Sequence, residues 1–130
     1  MTNKRIKIDD CSFYGCSSLK TIVIPPSVTI IGSKAFCGCS SLRTITIPST
    51  VTFIGDYAFC FCSSLLHISI PYINAISSGC FRECTSLTQI AIPSTVKTIG
   101  SFSFRKCTSL TRIMISPSVR IIDDFAFEGC

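Results

Sequence analysis

Ten cysteines and a single histidine are the side chains of this sequence with the most obvious chemistry. Cys37-Gly38-Cys39 and Cys60-Phe61-Cys62 are two Cys-x-Cys pairs, and together they offer four thiols, the number that a structural zinc takes. His67 beside a thiol would be the base of a nucleophilic dyad, provided that the sulfur lies within hydrogen-bond reach of the ring. Asp123 and Asp124 form an acidic pair in which a calcium ion would find oxygen ligands. Each of these chemistries requires convergence in space, so the elements that carry the residues decide among them.

Those elements come from a repeat. Leu19, Leu42, Leu65, Leu87 and Leu110 are spaced 23, 23, 22 and 23 residues apart. Three residues after each stands Ile22, Ile45, Ile68, Ile90 or Ile113, and two further on Ile24, Ile47, Ile70, Ile92 or Ile115. Proline follows in four units (Pro25, Pro48, Pro71, Pro93), and then come Val28, Val51, Ile73, Val96, Val119 and Ile31, Ile54, Ile76, Ile99, Ile122. Each unit closes on a small residue plus phenylalanine (Phe36, Phe59, Phe81, Phe104, Phe127) and a cysteine (Cys39, Cys62, Cys84, Cys107, Cys130). Ile8, Phe13 and Cys16 are the tail of an earlier unit. The chain reads as one domain, 1–130, with a partial repeat at 6–16 and repeats at 16–38, 39–61, 62–83, 84–106 and 107–129. The one-residue deletion falls between Pro71 and Cys80, where the loop must tighten.

One unit has too few apolar groups for a core, but stacked units place equivalent positions about 4.8 Å apart and build continuous ladders. A segment such as Thr44-Ile45-Thr46-Ile47 alternates polar and apolar residues, which predicts a short strand with the isoleucines inward. Proline then ends it, having no N–H for a ladder. The expectation is a right-handed solenoid of five full coils. One face carries a parallel sheet, with strands near 20–24, 43–47, 66–70, 88–92 and 111–115. Tight helical turns such as Gly55–Phe59 place the phenylalanines inside on the convex side.

This frame sorts the chemistry. Six cysteines (Cys16, Cys39, Cys62, Cys84, Cys107, Cys130) occupy one inward repeat position, where a thiol packs as a small hydrophobe and can bond loop backbone. They read as reduced structural thiols, without disulfides. Cys37 and Cys60 follow an inward phenylalanine and point elsewhere, so the four Cys-x-Cys thiols do not converge on a metal; with Cys11 they are expected to be partly exposed and reactive. His67 is outward on its strand, and its neighbours Thr44, Gln89 and Arg112 include no general base. With no Gly-rich phosphate loop or nucleophile elbow, the reading is no enzyme, no catalytic residue, no metal and no cofactor.

The repeat resembles the BspA-like (treponemal-class) leucine-rich repeat, whose units read roughly LxxIxIPxxVxxIGxxAFxxCxx, over residues 6–130. The departures are local: Ser77 and Asp123 stand for the glycine, Cys80 and Ser103 for the alanine, and Ser116 for the proline. The resemblance implies a protein-binding solenoid, and many members of that family look like cell-surface adhesion proteins.

Function is then expected on a surface. The outward strand positions form a Thr-rich, mildly basic concave face, with Lys20, Val23, Arg43, Thr46, Leu66, His67, Ser69, Gln89, Arg112 and Met114 as its candidate contacts. A rigid face suits protein recognition, because little ordering entropy is lost on docking. The last unit stops at Cys130, so Leu110, Ile113, Ile115 and Phe127 are expected at an open end, where a second copy or a larger assembly covers them. Net charge is +5, but the cations are scattered; only Lys4–Lys7 clusters, which reads as a solvated terminus and not as a nucleic-acid arm. No apolar run reaches the roughly 18 residues of a membrane span. A charged start without a signal sequence and reduced thiols point to a reducing, intracellular scaffold for protein partners. The alternative is a fragment of a cell-surface adhesion protein.

Overall fold

The computed structural model describes residues 5–130, so that Lys4 of the basic cluster lies outside the described residues. The chain winds into stacked coils whose short strands all pair in parallel with the next coil. Strands β1 (Ile6–Ile8), β2 (Val28–Ile31) and β3 (Phe53–Ile54) form one sheet, and β4 (Ala75–Ile76), β6 (Thr98–Ile99) and β8 (Ile121–Ile122) continue on the same side. The concave strands expected from the Leu-x-x-Ile-x-Ile segments are β5 (Gln89–Ala91) paired with β7 (Arg112–Met114), and a single bridge between Val23 and Thr46. The sheet made from the Val-x-x-Ile segments was not anticipated. In a stack with a fixed period, any extended segment meets its own copy in register, so a second sheet costs no extra sequence information.

The core is the set of ladders read from the repeat. Leu42, Leu65 and Leu87, Ile45, Ile68 and Ile90, and Ile31, Ile54, Ile76 and Ile99 are all buried. Phe13, Phe36, Phe59, Phe81, Phe104 and Phe127 form one continuous offset stack, with ring centroids 5.2–5.7 Å apart and planes within 13°. Such contacts add to the area each ring buries.

The convex segments are not helical turns. Lys34, Phe36 and Gly38 donate their N–H groups to Asp56, Ala58 and Cys60 of the next coil at 2.9, 2.8 and 2.8 Å. Between them Ala35, Cys37 and Cys39 donate to Gly32, Lys34 and Phe36 of their own coil at 3.3, 3.2 and 3.2 Å. Every second N–H is thus taken by the neighbouring coil, which leaves too few donors for a helix. Two left-handed residues per coil produce this alternation: Lys34 (φ 56°) with Gly38 (φ 78°), Tyr57 with Phe61, Gly79 with Glu83, Phe102 with Lys106.

The third coil is the exception, and the missing residue explains it. In the other coils Val28, Val51, Val96 and Val119 donate to the carbonyl three residues back, at 3.0–3.1 Å. Ile73 instead donates to Pro71, two residues back, at 2.7 Å. Thr50, Thr95 and Ser118 each send a hydroxyl to the preceding coil (Val28, Ile73 and Val96) at 2.7, 2.7 and 2.9 Å, whereas the third coil has exposed Tyr72 before Ile73. Both sheets break here. No pairing joins β3 to β4, and among the described residues no backbone bond joins 66–70 to 88–92, so the strand expected at 66–70 is absent as a strand. At the glycine position Ser77 bonds the Ile54 carbonyl through its hydroxyl, where Gly55 and Gly100 use their N–H groups on Ile31 and Ile76.

Candidate protein-interaction surface

All ten concave residues singled out in the sequence are exposed, while Ile45, Ile68 and Ile90 between them are buried and Ile22 and Ile113, in the end coils, are partly buried. The pleat enforces this, since successive residues of an extended segment face opposite sides. In-register stacking then aligns Gln89 with Arg112 and Ala91 with Met114, and the repeat places His67 and Ser69 one rung earlier in the same columns. A depression of about 380 Å3 opens over these columns, lined by His67, Ser69, Gln89, Arg112 and Met114 among the expected contacts, with Ala91 and the buried Ile68 and Ile90 below. A second, of about 360 Å3, lies around Val23 and Thr46. Lys20, Arg43 and Leu66 are exposed nearby but do not line either one.

The ladder cysteines have a specific structural role. Cys39, Cys62, Cys84, Cys107 and Cys130 donate their S–H groups to the carbonyls of Phe13, Phe36, Phe59, Phe81 and Phe104 at 3.1–3.2 Å. Each thiol thereby ties a coil to the phenylalanine rung beneath it. All ten cysteines are free. Burial pushes Cys39 up to about 11, Cys107 to about 12 and Cys62 higher still, so these thiols stay protonated.

Cys37 and Cys60 depart from expectation. They are 7% and 2% exposed, not open to solvent, while Cys11 is exposed as anticipated. The two sit side by side in one column of adjacent coils, and burial outweighs the other influences on both, raising Cys37 and taking Cys60 to about 12. A low-pKa nucleophile needs the opposite environment. Pointing away from the core did not mean reaching solvent, because this column is packed between coils. Among the described residues no three His, Cys, Asp or Glu side chains gather to hold a metal ion. His67 is exposed on the concave face, whereas Cys62 and Cys84 of the ladder are buried with their thiols on the Phe36 and Phe59 carbonyls.

At the C-terminal end the same ladders lose their cover. Ile122 is 50% exposed, whereas Ile31, Ile54, Ile76 and Ile99 are at most 2% exposed. Ile115 is exposed, and Leu110, Ile113 and Phe127 are partly buried. Ile121 and Phe125, which sequence reasoning had left out, are more exposed than those four.

The BspA-type leucine-rich repeat model matches residues 6–130 in six copies. The chain belongs to this family. Solved leucine-rich repeat proteins share the fold: one of Bacteroides ovatus superposes with a TM-score of 0.86 at 37% identity, covering 90% of this chain and 31% of that one. The Treponema pallidum leucine-rich repeat protein gives 0.82 at 31% identity, covering 90% and 62%. A leucine-rich cell surface protein of Faecalibacterium prausnitzii gives 0.85 at 35% identity, covering 95% and 34%. The chain thus spans between 31% and 62% of the length of these relatives. No curated protein matches it.

Proposed function

We propose that this BspA-type chain is a non-enzymatic protein-interaction scaffold that binds its partner on the concave face, as part of a larger assembly in a reducing compartment. The observation that carries this reading is the contrast between side chains on the same strands. The buried positions are near-identical from coil to coil, whereas the exposed ones vary freely over a depression large enough to take a partner's side chains. The cysteine ladder supports the choice of compartment, because its thiol-to-carbonyl hydrogen bonds need the S–H form. The exposed end coil offers Leu110, Ile113, Ile115 and Phe127 as a second contact, for a following coil, a further copy or another subunit.

The test is affinity capture from the source cell with the wild-type chain, a concave Arg43→Glu/Met114→Lys variant and a convex Lys34→Glu control. The expected result is a set of partners lost only with the concave variant. Equal capture by all three would end the concave reading. Light scattering on the isolated chain, beside a Leu110→Lys/Ile113→Glu variant, addresses the end coil; a wild-type monomer at high concentration would remove it as an interface.

A second reading, a segment of a cell-surface adhesion protein, draws on the surface protein of Faecalibacterium prausnitzii, of which this chain would span about a third. Surface labelling of intact source cells separates the two, since the first reading predicts no labelled chain.

A further inference from the structure

We infer that the depression at the third-coil seam is a binding site for an extended, carboxylate-bearing segment of a protein partner. The inference rests on the concave reading above and gives that partner its chemistry.

The first observation is where the charges lie. All seven carboxylates are on the turn segments: Asp9, Asp10, Asp56, Glu83, Asp123, Asp124 and Glu128. The concave segments 20–24, 43–47, 66–70, 88–92 and 111–115 carry none, and they hold Lys20, Arg43, His67 and Arg112. The ion pairs among the described residues are Lys7–Asp10, Arg105–Glu128 and Lys106–Glu83, all away from this face. Lys20, Arg43 and Arg112 are therefore exposed cations with no internal counter-charge. Clefts lined by one sign of charge concentrate ligands of the other sign.

The second observation is what the floor is made of. Ile68 and Ile90 form the floor of the depression, and both are buried core residues. These rungs lie on either side of the junction where no backbone bond joins 66–70 to 88–92. The main-chain groups of 66–70 and 88–92 find no backbone partner in each other across this junction, and an extended segment, with a donor and an acceptor at every residue, brings the partners they lack. Selectivity falls to the walls: the column of His67, Gln89 and Arg112 on one side, and the apolar Ala91 and Met114 on the other. A side-chain carboxylate reaching Arg112 forms the bidentate pair that the guanidinium geometry favours.

The experiment measures fluorescence anisotropy of short labelled peptides with the intact chain: alternating Glu-Ser, its Lys-Ser counterpart and its Gln-Ser counterpart, beside a labelled single-stranded oligonucleotide. Arg112→Glu removes the site charge, Lys97→Glu is a charge-matched control on the other sheet, and insertion of one threonine after Tyr72 restores the 23-residue spacing and closes the seam. Melting curves confirm that each variant folds. The expected result is binding of the Glu-Ser peptide alone, weakened about tenfold or more by Arg112→Glu and by the insertion, and by less than about twofold by Lys97→Glu. Equal losses with Arg112→Glu and Lys97→Glu would mean diffuse attraction and overturn the site. Binding of the oligonucleotide in preference to the peptide would overturn the choice of partner. Gln-Ser binding as tight as Glu-Ser, or no peptide binding at all, would overturn the carboxylate inference. The concave reading itself would still be decided by the capture experiment, which makes no assumption about charge.

Discussion

The convex turns and the concave strands come from the same repeat, but they are joined across coils in different ways. On the convex side three backbone hydrogen bonds cross every junction, the seam included: Tyr57, Phe59 and Phe61 donate to Ser78, Cys80 and Arg82, and Gly79, Phe81 and Glu83 to Ser101, Ser103 and Arg105. On the concave side Leu66 donates to Arg43 at one junction, none crosses at the next, and β5 and β7 pair fully at the last. The convex ladder also carries the phenylalanine stack and the thiol bonds. The frame is held at the turns, and this leaves the strands free to vary in sequence and even to part. In a repeat protein, stability sums over coils and the interfaces between neighbours. A local defect is tolerated when the other side of the coil is intact.

The sharpest way to break this contrast is to truncate on each side. Phe59→Ala, in the middle of the stack, is expected to cost about 3–5 kcal/mol, a large share of the roughly 5–15 kcal/mol that holds a domain together. Ile68→Val, under the seam, should cost about 1 kcal/mol. Chemical denaturation of the two variants checks the ratio, and similar losses would mean that the strands carry as much of the frame as the turns.

Alkali should act next, and through the convex side. Burial raises Cys39 to about 11 and Cys60 and Cys107 to about 12, whereas an unfolded thiol titrates near 8.5. The folded chain then holds protons that the unfolded chain has lost, so stability is full below about pH 8.5 and falls as pH rises from there to about 12. Melting temperature against pH reads this directly. Cys11→Ser, at an exposed thiol, should leave the curve in place, while Cys60→Ser should make it shallower.

Single rungs come third. Cys62→Ala removes the S–H donor to Phe36 and is expected to cost about 1–2 kcal/mol, while Cys62→Ser keeps a donor and should recover part of the loss. Equal losses from both would mean that the thiol matters for its volume alone.

The seam and the turn strain offer smaller gains. One threonine inserted after Tyr72 should restore the three-residue turn and the hydroxyl rung, for about 1 kcal/mol, and slow amide exchange at Ile68–Ile70. Unchanged exchange would detach the seam from the deletion. Lys106 holds φ 57° one rung before Gly129 at φ 77°. Lys106→Gly should therefore raise stability by about 0.5–1 kcal/mol, since a left-handed conformation costs any residue with a Cβ about 1–2 kcal/mol and glycine nothing of that kind. Denaturation midpoints measure the gain. Gly79→Ala is the opposite case, because its φ is +62° and the added methyl would run into the Tyr57 ring.

The sequence alone determined the stack, the inward columns and the exposed concave residues. Equivalent positions in units of one period must lie above one another, and apolar ones such as Ile45 or Phe59 are buried wherever the coil turns. It also located the defect, since the 22-residue interval places a shorter loop in the third coil. Only the tertiary structure decided what the backbone does between coils. Whether 66–70 pairs with 88–92 depends on how the shortened Pro71 turn sets the strand against its neighbour, a matter of hydrogen-bond geometry that no residue type encodes. The second sheet and the alternating turn bonds arise because N–H groups find carbonyls 21 to 24 residues away in an adjacent coil, and Cys37 and Cys60 are buried within the stack. Local pattern fixes which side of the chain a residue takes; contact with the next coil decides whether that side meets water.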